Sequence, residues 1–175
     1  MNKKEIAELL QKNHQEFIEM VNALREEDFS YAPTNKWTAG QQLDHLVRSV
    51  QPVNMAFALP KIILQLMFGK ANRPSKSFTE LVEKYNKRIE EGAKASGIFI
   101  PPPIAFNKKG KLIKRLSKLS SALSKKALSQ SEQNLDTYIL PHPLLGKITM
   151  REMLYFTADH VQHHQKIIER ALSNK

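Results

Sequence analysis

Three short patterns dictate where helices must begin in this chain. Thr38 and Gln41, Ser77 and Glu80, and Thr149 and Glu152 each stand three residues apart at the head of an apolar-periodic stretch. This is the capping box, in which one side chain accepts from the backbone N–H of the other residue and is answered in kind. The spacing predicts helices from about Ala39, Phe78 and Met150. No run alternates polar and apolar residues for long enough to build a sheet. The expectation is therefore an all-α chain.

Periodicity supplies the rest of the frame. Ile6, Leu10, Phe17, Val21 and Leu24 form one stripe, Leu43, Leu46, Val47 and Val50 a second, and Leu112, Leu116, Leu119 and Leu123 a third. Together they predict a bundle of four main helices near 2–25, 38–60, 111–129 and 149–172. A short helix at 78–91, with Phe78, Leu81, Tyr85 and Ile89 on its stripe, precedes a long connection through Pro101, Pro102 and Pro103 that cannot be helical. A connection of that length suits a rim or lid over a pocket. At 175 residues the chain fits one domain, 1–175, large enough to hold itself together by its core.

The run Val53 to Phe68 is the most apolar in the chain, and Pro60 must break or kink it. It is too short and too interrupted for a transmembrane helix, and reads as buried cover over the bundle or a homodimer face. The beginning, MNKKEIAELLQ, has no apolar signal core and carries acids, so a cytoplasmic protein is expected. The net charge is +10, and it is concentrated: between Gly92 and Ser131 there are nine basic residues and no acid. Lysines at helical spacing make a solvated face or a site for nucleic acid or another polyanion. The absence of interleaved aromatics argues against single-strand stacking.

The chemistry concentrates in the histidines. On the last helix Met153, Thr157, His160, His164, Ile167 and Ala171 recur at steps of three or four, which sets two imidazoles one turn apart on a mostly apolar face. Burying both is costly unless their nitrogens find partners. A divalent ion is one such partner, and water, a carboxylate or each other are the alternatives. His45 is a third imidazole beside a core seam, with Gln41 one turn before it as a pocket residue. His163, about a hundred degrees around the helix from His164, belongs at the surface or behind the others. His14 is expected to be solvated or hydrogen-bonded. With no cysteine in the chain, thiolate catalysis and disulfides are excluded, and any metal must be held by nitrogen and oxygen.

Two of these stretches, WTAGQQLDHL and HPLLGKITMREM with its downstream H-x-x-x-H, resemble the DinB-like superfamily of damage-inducible-type, metal-binding four-helix bundles. The resemblance runs from about Asn2 to Leu172. It implies a divalent metal, zinc, nickel or iron, held by His45, His160 and His164. It further implies a metal-dependent hydrolase or a transferase acting on a low-molecular-weight thiol such as bacillithiol, mycothiol or glutathione. Ile167 stands where members often have glutamine, and the basic helix and proline-rich connection have no counterpart. Asp44 and Asp159 point elsewhere on their helices, so no catalytic residue is assigned. The alternative is a non-enzymatic binding protein that uses Lys108 to Lys126 on a polyanion; the family's name is not evidence for it.

Overall fold

The structure, a computed structural model, describes all 175 residues. Its helices are α1 (Lys3–Ala23), α2 (Glu26–Phe29), α3 (Ala39–Ala58), α4 (Lys61–Phe68), α5 (Phe78–Glu90), α6 (Lys109–Ser129), α7 (Glu132–Thr137) and α8 (Met150–Ser173). All three anticipated capping boxes are formed, and Asn2 with Glu5 makes a fourth at the start of α1.

Helices α1, α3, α6 and α8 form the bundle. α1 and α3 each pack against both α6 and α8, so the four alternate around one shared core. That core contains the expected stripes, among them Leu10, Phe17 and Val21 from α1, Leu43, Leu46 and Val50 from α3, Leu116 and Leu123 from α6, and Leu154 and Val161 from α8. α5 lies on the outside of α8. Three of the basic residues tie elements of the bundle together. Lys109 donates to the carbonyls of Asn22 and Leu24, Arg115 to the Gln51 side chain, and Lys126 to the carbonyl of Asn54.

Two features depart from expectation. Residues Ile139–His142 (β1) and Gly146–Thr149 (β2) form an antiparallel hairpin, with Leu140 opposite Ile148 and both facing the core. Each strand is four residues long, and Pro141 and Gly146 sit within them, so no alternation announces the pairing. The chain nonetheless remains all-α in class. The second departure concerns the apolar run. Pro60 does end a helix, since α3 stops at Ala58 and α4 starts at Lys61. In α4, however, Leu64 alone is buried, and Ile62, Leu66 and Met67 face outward. Most of this helix is not cover for the bundle.

The start of α8 is held by a charged network drawn from distant sequence. Glu152, wholly buried, caps Thr149, accepts from the Lys76 backbone N–H and takes a two-pronged pair from Arg73 at 2.7 and 2.9 Å. Beside it Arg151 donates to Asp136 and Glu132, both at 2.6 Å, and to the Met1 carbonyl. Ser75 bridges Asp136 and Thr149. A buried carboxylate is tolerable when every oxygen is answered in this way, and removing one partner leaves the other charge stranded. The network therefore sets both the position and the axial rotation of α8.

His14 lies inside the bundle, fully enclosed, with Nδ1 donating to the Leu10 carbonyl at 2.8 Å and Nε2 without a partner. Burial lowers its pKa to about 4 from the ordinary 6.5, against a smaller upward push from the Leu10 carbonyl. A depressed histidine pKa means that the unfolded chain binds a proton the folded chain refuses. The stability this residue permits is complete above pH 6.5 and is lost as the pH falls toward 4. By linkage the loss is on the order of 3 kcal/mol. Urea unfolding across that range should show this contribution, and His14→Leu should make the slope shallower by that share, the other buried histidines keeping theirs.

Candidate metal centre

The capping box of α3 sets His45 on the turn facing α8, and the glutamate-anchored start of α8 sets His160 and His164 opposite. The three imidazoles converge, each nearly buried, with one ring nitrogen from each lying within 4.8 Å of the others. His45 Nε2 stands 3.4 Å from His160 Nε2, and His160 Nε2 stands 2.9 Å from His164 Nε2. Aromatic rings wall the cluster. Phe156 stacks on His160 with centroids 4.6 Å apart, Trp37 packs on His45 at 5.1 Å, and Tyr85 meets His160 edge-on.

The outer nitrogens decide what the inner ones can do. His45 Nδ1 donates to the Phe99 carbonyl at 2.7 Å, and His164 Nδ1 donates to Gln42 Oε1. Both partners are acceptors, so both protons sit on Nδ1 and both Nε2 atoms present lone pairs. These lone pairs face the same atom, His160 Nε2, which has at most one proton to give. Ser49 Oγ, 3.5 Å from His45 Nε2, gives its proton to the His45 carbonyl at 2.9 Å, so at least one lone pair is left over in a buried site. Burial, and then the neighbouring imidazoles, drive the pKa values of His160 and His164 well below 6.5. Burial also lowers that of His45, against the upward pull of its Phe99 bond. A bound proton is therefore a poor answer to the leftover lone pair.

A divalent cation fits the same donors. Two nitrogens bound at ~2.05 Å to one tetrahedral ion stand ~3.3 Å apart; the His45–His160 pair is at 3.4 Å already, and the His160–His164 pair, at 2.9 Å, would part by a few tenths of an ångström. The outer bonds to Phe99 and Gln42 are of the kind that orient ligating imidazoles and fix their tautomer.

His45, His160 and His164 are thus brought together as anticipated. Gln41 is not brought to the imidazoles by any hydrogen bond. Its Oε1 accepts from Thr38 N at 3.1 Å to complete the cap, and its Nε2 donates to the Pro101 carbonyl at 3.4 Å. The amide that touches the cluster is the next residue, Gln42, and the capping box itself was the signal that Gln41 would be occupied. His163 is half-buried behind His164, against Tyr85. His142, unremarked in the sequence, is buried in the hairpin, where its Nδ1 accepts from Leu144 N and Leu145 N and its ring packs on Phe156. Asp44 is paired with Arg48 at 2.5 Å. Asp159 is half-buried, and burial raises its pKa.

The proline-rich connection passes over the site. Besides Phe99 on His45 and Pro101 on Gln41, the Ile98 carbonyl accepts from Arg48 at 3.1 Å. Lys114, Lys118 and Lys125, with Ser117 and Ser121, line an exposed face of α6.

A family model described as the DinB superfamily matches residues 9–168, a span that includes all three histidines. No curated protein matches the chain. The tautomers follow from the geometry alone: long-range proton–nitrogen correlation spectra of the metal-free protein at neutral pH should show Nδ1-protonated rings for His45 and His164.

Proposed function

The chain belongs to the DinB superfamily, and on that footing we propose that it is a divalent-metal-dependent enzyme, a hydrolase or a thiol S-transferase, with His45, His160 and His164 as the ligands. The observation that supports this reading is the surplus lone pair: two imidazoles locked as Nδ1–H tautomers aim at a third that can satisfy only one of them. The choice of a small thiol as substrate rests on the motif resemblance. When bound, a divalent ion supplies the positive charge that makes a water molecule or a thiol acidic near neutral pH.

The chain's own residues prepare the site for that chemistry. Three neutral imidazoles add no charge, so the full charge of an ion stays available to a substrate, and three ligands leave coordination positions open. Phe99 and Gln42 hold two of the rings in place. Trp37, Tyr85 and Phe156 exclude water from the flanks of the cluster, which strengthens any electrostatic interaction inside it. No carboxylate hydrogen-bonds to the three imidazoles. Proton transfer in this reading is therefore carried by substrate or solvent.

Untagged protein should contain about one equivalent of divalent metal by elemental analysis. His45→Ala and His164→Ala should contain little while keeping a helical circular dichroism spectrum. His160→Ala should lose the activity found in hydrolase and thiol-transfer screens of the loaded parent. A parent that takes up no metal on reconstitution would overturn the reading.

Gln42→Leu keeps all three histidines but removes the acceptor that orients His164. It should bind the metal about 10- to 100-fold more weakly in a chelator competition.

A further inference from the structure

Helix α4 is apolar on both of its faces. Leu64 and Phe68 turn inward, and Ile62, Ile63, Leu66 and Met67 turn outward, 60, 37, 76 and 59 % exposed. The outward four form two pairs one turn apart, Ile62 with Leu66 and Ile63 with Met67, so they make one continuous patch. Only Lys61 and Gln65, on one narrow stripe, interrupt the apolar surface of the helix, and a continuous exposed apolar patch marks a surface meant to be covered.

The surroundings specify the cover. Lys147 Nζ donates to the Phe68 carbonyl at 3.0 Å, Lys70 follows the capping Gly69, and Lys61 begins the helix; none of the three is in an ion pair. Lys70 and Lys147, with Arg73, line a depression of about 340 Å³ at the C-terminal end of α4, and no acid lines it. Arg73 is already matched by Glu152, so the two lysines carry the depression's uncompensated charge. Between Asp44 and Glu80 the chain has no acidic residue at all. A second copy of the chain is a poor match, because two-fold pairing through this face brings a second set of the same lysines and no acid from positions 45–79 to answer them. An anionic bilayer matches both features at once, with acyl chains for the patch and headgroup phosphates for the lysines.

We propose that α4 is an interfacial anchor that docks the protein reversibly on anionic phospholipid membranes. The helix lies in the membrane plane with Ile62, Ile63, Leu66 and Met67 among the acyl chains and a headgroup phosphate between Lys70 and Lys147. Four partly exposed side chains are a small apolar area, so attachment depends on charge and weakens with salt. No helix of the chain is long and apolar enough to cross a membrane, and the proposed mode of attachment needs none.

The test is co-sedimentation of the full chain with vesicles of phosphatidylglycerol and, separately, of phosphatidylcholine. The parent should sediment with the first at low salt and stay in solution with the second. Leu66→Glu, and independently Ile62→Gln, should weaken binding by about tenfold or more. The pair Lys70→Gln with Lys147→Gln should weaken it roughly thirtyfold. All variants should keep the parent's circular dichroism spectrum. Three results would overturn the proposal: a parent that does not sediment; binding that survives Leu66→Glu and Ile62→Gln but fails in Lys118→Gln with Lys125→Gln; or light scattering that shows a dimer which Leu66→Glu turns into a monomer.

Discussion

Three imidazoles packed nitrogen to nitrogen, with too few protons to go round, are the constraint on which the rest of this structure depends. Such a cluster is unfavourable in isolation, since each buried lone pair has given up water and the low local polarity magnifies the loss. It persists only if the helices that carry it cannot move apart. The shared apolar core of α1, α3, α6 and α8 supplies that rigidity. The site is the point where the bundle holds polar groups against their tendency to leave.

The placement of α8 shows how. Its first turn is anchored by Glu152 and Arg151, whose partners come from the 70s loop, from α7 and from the beginning of the chain. A helix rotates about its axis by a hundred degrees per residue, so a small slip at its start would swing His160 and His164 away from His45. The charged network acts two turns from the imidazoles and has no contact with them, yet it fixes their direction. Desolvation pushes the pKa of its buried carboxylate up, and the bonds from Arg73, Lys76 and Thr149 together more than offset that push, leaving it below the ordinary glutamate value.

The helices and the histidine triad were legible in the sequence because their signals are local or periodic. Capping boxes act over three residues and core stripes over a few turns, and His160 with His164 is a spacing within one helix. What could not be read involves partners far apart. Arg73 and Glu152 are 79 positions apart, and nothing near either names the other. The hairpin is too short to show alternation. The choice between bundle cover and an outward face for α4 could not be made from the sequence, because hydrophobicity reports a tendency to be covered and not what does the covering. Gln42 could have been preferred to Gln41: the T-x-x-Q pattern already committed the earlier amide to the helix start, which left its neighbour to face the core.

The bond from His45 to the Phe99 carbonyl ties a ring of the cluster to a connection that has no place in the bundle. That single bond makes the two thermodynamically reciprocal. Whatever draws on the Nε2 lone pair of His45 favours the tautomer with its proton on Nδ1, and so tightens its hold on Phe99. By the same equality, whatever settles the connection against α3 makes that lone pair a better donor. The stretch over the site is thus a gauge of its occupancy as well as its roof: filling the cluster disfavours the open form of the strap above it, and loosening the strap weakens the grip below.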